Sequence, residues 1–111
     1  YFKIKSIPAV LPEATEKLII ECCMKLFDRL EVRDYGRFDW RLDADGNPKL
    51  LEVNPNPGWC WDGHLAKMAK FAGMTYQDML QDIIKAAEQR IEQAVQSESP
   101  DCKTDDYITE N

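Results

Sequence analysis

Arg37-Phe38-Asp39-Trp40-Arg41-Leu42-Asp43-Ala44-Asp45-Gly46-Asn47-Pro48-Lys49-Leu50-Leu51-Glu52-Val53-Asn54 holds two alternating segments around an Asp-Gly dipeptide and runs on into Pro55-Asn56-Pro57-Gly58. Asp-Gly between alternating apolar residues is a strong short-range signal for a β-hairpin. Alternate residues of a strand face the same side, so Arg37 and Asp39 point together, as do Glu52 and Asn54. With Asp45 and Gly46 as the two central turn residues, Asp39 falls opposite Glu52 and Arg37 opposite Asn54. One face then carries four polar groups. The other carries Phe38, Trp40, Leu42, Leu51 and Val53, with Trp40 across from Leu51, and reads as core.

Two carboxylates opposed across a pair of strands repel, by up to about 1 kcal/mol when exposed and more when buried. Positive charge between them relieves this, and Arg37 and Arg41 lie on the same face. Two carboxylates and a carboxamide oxygen are also the hard ligands that Mg²⁺ or Mn²⁺ prefers. Spacing alone leaves this metal reading level with a solvated, charged outer face.

Outward from the hairpin, the pattern places a short strand over 2–6 and an amphipathic helix over 13–30, with Ala14, Leu18, Ile19, Cys22, Cys23, Leu26, Phe27 and Leu30 on its apolar stripe. Glu13 and Glu16 near its start and Lys25 and Arg29 near its end suit the helix dipole, and Pro12 suits its first turn. The hairpin strands fall at about 35–43 and 48–54. Asp62 is a candidate N-cap for a short helix carrying Leu65, Met68, Ala69 and Ala72 and closed by Gly73. Thr75, with Asp78 three residues on, opens a longer helix to about Gln96. The order strand, helix, hairpin, helix, helix is α+β. The Asp43–Pro48 loop departs from an EF-hand, because glycine stands fourth rather than sixth and the closing glutamate is absent.

A chain of 111 residues, 44% apolar and 31% charged, fits one soluble globular domain. Of its net charge of −6, a net −4 falls from Ser97 onward, so 97–111 reads as a disordered acidic tail on a nearly neutral body. That body has no basic excess for nucleic acid, and no apolar run reaches membrane-spanning length. The 4 cysteines form no CxxC pair and the single histidine, His64, completes no zinc cluster; the expected setting is reducing and cytoplasmic. The opening at Tyr1, partway into a strand, is expected of a fragment or a processed chain.

The strings Tyr35-Gly36-Arg37-Phe38-Asp39-Trp40-Arg41-Leu42-Asp43 and Leu50-Leu51-Glu52-Val53-Asn54-Pro55-Asn56-Pro57-Gly58 resemble the C-terminal part of the ATP-grasp fold in D-alanine–D-alanine ligase-like proteins. Ile7-Pro8-Ala9, Leu65-Ala66-Lys67-Met68-Ala69 and Ala72-Gly73-Met74-Thr75-Tyr76 are similar to flanking segments of that family. The resemblance implies a partial ATP-grasp domain over 1–96, with Asp39, Glu52 and Asn54 as Mg²⁺ or Mn²⁺ ligands that hold ATP phosphates. It also implies roles for Arg37 in stabilising the phosphoryl and tetrahedral species and for the Gly58 backbone N–H as an oxyanion donor. The implied substrates are small amino acids or other carboxylates, joined to an amine through an acyl phosphate. The portion that binds ATP, with its phosphate-covering loop and lysines, is not among these residues, so an N-terminal ATP-binding lobe is an implied partner.

Where the family places a small hydroxyl residue against the second substrate's carboxylate, this sequence has Trp59-Cys60-Trp61-Asp62-Gly63-His64, one residue longer and without serine. The two tryptophans fit either a bulkier, more apolar acceptor or packing anchors. His64 fits either substrate contact or a solvated helix start. Two other functions stand beside the ligase: a non-catalytic truncated domain acting as a binding or assembly module, and a different metal-dependent phosphotransferase using the same carboxylates.

Overall fold

The computed structural model describes residues 5–97, which form α1 (Glu13–Arg29), β1 (Arg37–Leu42), β2 (Pro48–Asn54), α2 (His64–Phe71) and α3 (Tyr76–Ser97). This is the expected mixed architecture, with one antiparallel two-stranded sheet. Most of the expected first strand and of the acidic tail lies outside the described residues; Lys5 and Ser6, which are described, belong to no strand.

The carbonyl of Pro12 accepts the first bond of α1 from the Glu16 N–H at 3.0 Å, so the proline sits at the N-cap, one step before the first turn. At the other end Val32 N–H donates to Phe27 O and Glu31 N–H to Asp28 O, with Glu31 in the left-handed region at φ 54°. These are the two bonds of a Schellman motif, made here without glycine. α2 ends in the same motif with Gly73 at φ +80°, Met74 N–H donating to Ala69 O and Gly73 N–H to Lys70 O.

The core lies between α2 and α3, where Ala69, Met79 and Ile83 are buried and Tyr35, Leu65, Met74, Tyr76 and Leu80 pack around them. α1 buries none of its residues; its contacts with the sheet include Trp40 Nε1–H donating to Cys23 Sγ at 3.2 Å, and Cys23, Met24 and Phe27 share a shallow cavity with Phe38. The hairpin's apolar face is therefore only half covered. A bidentate pair, Arg90 Nε and Nη2 to Asp34 at 3.0 and 3.1 Å, ties the turn before β1 to the second half of α3.

Thr75 and Asp78 cap α3 reciprocally: Asp78 N–H donates to Thr75 Oγ1 at 3.0 Å and Thr75 N–H to Asp78 Oδ2 at 3.1 Å. The backbone bond from Thr75, with its hydroxyl adding, holds the Asp78 carboxyl below its ordinary 3.8. A carboxyl depressed by folding contributes stability that is fully present above its unfolded value and is lost as pH falls through the folded value. Wild type is expected to exceed Asp78→Asn in urea stability above pH 3.8, with the gap closing in stronger acid. A gap that does not change with pH would show that the charge on Asp78 contributes nothing.

Candidate active-site face of the hairpin

The turn differs from a two-residue Asp-Gly reversal. Leu42 pairs with Pro48, which leaves a five-residue loop closed by Asp43 N–H donating to Asn47 O at 2.9 Å. Asp43 Oδ1 accepts the N–H groups of Asp45 and Asn47, and Gly46 takes φ +82°. Those bonds, the one from Asn47 foremost, hold the Asp43 carboxyl below its usual range. The longer loop shifts the register near the turn by one residue, so Trp40 faces Leu50 and not the expected Leu51. A bulge between Asp39 and Trp40 shifts it back. Leu51 is the extra residue and is 65% exposed, which corrects its assignment to the core face. Beyond the bulge Asp39 faces Glu52, Phe38 faces Val53 and Arg37 faces Asn54, as the alternation predicts.

Arg37 grips Asp39 bidentately, Nε to Oδ1 at 2.8 Å and Nη2 to Oδ2 at 3.1 Å. The hydrogen bond to Asp39, with the charges of Asp39 and Glu52 behind it, raises the guanidinium's pKa against the opposing effect of burial. Arg41 takes no part: it is exposed and faces Lys49. Glu52 is exposed and has no hydrogen bond or ion pair among the described residues. Asn54 is half-buried, and its Oδ1 accepts the Asn56 N–H at 3.0 Å.

That bond starts the loop towards Gly58. Tyr35 O–H donates to Asn56 Oδ1 at 2.6 Å, and the Tyr35 ring centroid stands 5.8 Å from that of Trp59. Pro57 is fully buried. After Trp59 the chain turns tightly, Gly63 N–H donating to Cys60 O at 3.0 Å and Cys60 Sγ–H to Asp62 Oδ1 at 2.8 Å. Asp62 is thus engaged within the turn, and Gly63, without a side-chain cap, is the N-cap of α2 in its place. His64 is exposed at the first position of α2.

Two concavities result. An open cleft of about 560 Å³ brings Arg37 and Asp39 together with Lys5, Trp40, His64 and Met68. A second, of about 350 Å³, is lined by Tyr35, Asn56, Pro57, Gly58 and Trp59. Glu52 and Asn54 line neither, and Gly58 lies apart from the Arg37–Asp39 pair. Sequence reasoning passed over Tyr35 as a positioning residue; its signal was a polar-tipped aromatic two residues before Arg37.

The family model described as D-ala D-ala ligase C-terminus matches residues 3–85. The chain belongs to that family. It is 37% identical over 78 residues to a D-alanine–D-alanine ligase of Paraburkholderia phytofirmans, covering 70% of this chain and 25% of the relative. To the ligase of Bordetella petrii it is 34% identical over 80 residues, covering 72% and 24%. Among solved structures it is similar to a D-alanine–D-alanine ligase from Bacillus anthracis complexed with ATP, with TM-score 0.70 and 27% identity over 77% of this chain and 30% of that one. The architecture is thus that of the C-terminal part of an ATP-grasp ligase domain. The chain spans about a quarter of the length of these curated relatives. Among the described residues no helix is long and apolar enough to cross a membrane.

Proposed function

We propose that residues 1–96 form the metal- and phosphate-handling part of an ATP-dependent carboxylate–amine ligase. The observation that carries this is the register beyond the bulge, which sets Asp39 opposite Glu52 and Arg37 opposite Asn54 at the mouth of the loop to Gly58. Membership of the ligase family supports it. ATP, which the Bacillus anthracis relative holds, would be the co-substrate, with its binding lobe supplied by residues outside these 111.

The donor set fits Mg²⁺ or Mn²⁺. Glu52 has no partner among the described residues, Asn54 Oδ1 keeps a second lone pair, and Asp39 offers its carboxylate in competition with Arg37. Mg²⁺ typically takes one or two protein carboxylates and completes its shell with phosphate and water. When bound, the ion would neutralise and orient phosphate oxygens.

In the reaction, a substrate carboxylate oxygen bonds to the γ-phosphorus of ATP while the bond to the leaving ADP breaks. An amine then attacks the acyl carbon, the carbon–oxygen bond to phosphate breaks, and an amide and phosphate result. Arg37 spends two N–H groups on Asp39 and has three left for phosphoryl oxygens. The Gly58 N–H would donate to the oxyanion of the tetrahedral species. Mn²⁺ titration of the chain tests the site: Asp39→Asn with Glu52→Gln should weaken binding at least about tenfold, and equal affinity in wild type and double variant would remove the metal assignment.

A further inference from the structure

Gly58 is exposed and its φ lies outside the left-handed range, and a Cβ there would meet no atom within 4 Å. No contact inside the chain requires glycine at this position. The space beside it is the 350 Å³ cavity, walled by the inclined rings of Tyr35 and Trp59, at 53°, and backed by buried Pro57. A water's share of liquid volume is about 30 Å³, so the cavity holds a ring with room to spare. The polar end of Tyr35 is bound to Asn56, and no charged side chain lines the cavity. What it offers a ligand is aromatic surface and the backbone around Gly58. Trp59 is held on both sides, by its stacking on Tyr35 and by the tight 60–63 turn, where a Cβ on Gly63 would come 3.2 Å from Cys60 Cβ.

Resting on the ligase reading, we propose that this cavity takes the side chain of the amine acceptor, that the acceptor carries a flat apolar group such as an aromatic ring, and that Trp59 determines this specificity. A methyl side chain would leave the rings unsatisfied and the cavity wet, whereas an aromatic ring stacks on them with the favourable offset or tilted geometry. The amine of such an acceptor lies beside Gly58, where the acyl carbon is to be attacked.

Saturation-transfer NMR on the 111-residue chain, in EDTA and without nucleotide, tests this with phenylalaninamide and alaninamide as probes. Phenylalaninamide should bind saturably and at least about tenfold more tightly than alaninamide. Trp59→Ala should abolish that preference, and Gly58→Val, which builds into open space, should block phenylalaninamide with the circular dichroism unchanged. Equal affinity for the two probes, or undiminished phenylalaninamide binding by Gly58→Val, would overturn the proposal. Metal and ATP are absent from this titration, so its failure leaves the Mn²⁺ result standing, and a failed Mn²⁺ titration leaves this one readable.

Discussion

Glu52→Gln should cut ATP-dependent phosphate release by about a thousandfold in a chimera where residues 3–85 replace the matching segment of the Paraburkholderia phytofirmans ligase. The substitution is nearly isosteric and Glu52 is exposed, so folding should not change. What changes is charge. Arg37 is already paired with Asp39, and Glu52 is the carboxylate on this face without a protein partner among the described residues. Removing its charge leaves one guanidinium facing one carboxylate, a neutral pair with little attraction for a divalent cation. The loss should appear in kcat, because phosphate charge is greatest as the γ-phosphoryl transfers, and Mn²⁺ should not restore it. Turnover of the variant chimera at the unsubstituted chimera's rate would refute the proposed mechanism.

The site was legible because strand alternation is insensitive to how the turn is made. Arg37 and Asp39 share a face at any register, and the structure joins them by two hydrogen bonds. The opposition of Asp39 to Glu52 depended on two departures that cancel: a five-residue loop in place of a two-residue turn, and a bulge that expels Leu51. Leu50 and Leu51 are both apolar, so hydrophobicity did not distinguish the paired leucine from the extra one. Asp43 decided the loop by accepting two backbone N–H groups, a local competition that pattern reading does not weigh.

Helices were legible to within a residue or two because period and caps agree, as at Thr75 and Asp78. Their partners were not. The stripe of α1 is correctly apolar, yet Leu18 is 46% and Leu30 54% exposed, since periodicity states which face seeks burial and not what covers it. At α2, Asp62 has the chemistry of an N-cap but its carboxylate accepts the Cys60 thiol two residues away, and Gly63 takes its place.

Within α3 the same periodicity leaves adjacent isoleucines in opposite environments, and the consequence is measurable. Ile83 is 8% exposed and packs with Ala69 and Met79, whereas Ile84 is 50% exposed. Ile83→Ala should cost about 2–5 kcal/mol, the transfer of the deleted groups plus the cavity they leave. Domains hold only about 5–15 kcal/mol in total, and this one has few buried residues, so the variant should be largely unfolded at temperatures wild type tolerates. Ile84→Ala should cost less than about 1 kcal/mol, since half of its side chain already meets water. Urea midpoints at equal m would measure both, and similar losses at the two positions would show that the α2–α3 contact is not where this chain keeps its stability. The contact also carries the base of α2, whose first residue, His64, faces the cleft with Arg37 and Asp39. A loosened core should therefore broaden the NMR signals of His64 before those of the hairpin, which is held by its own ladder.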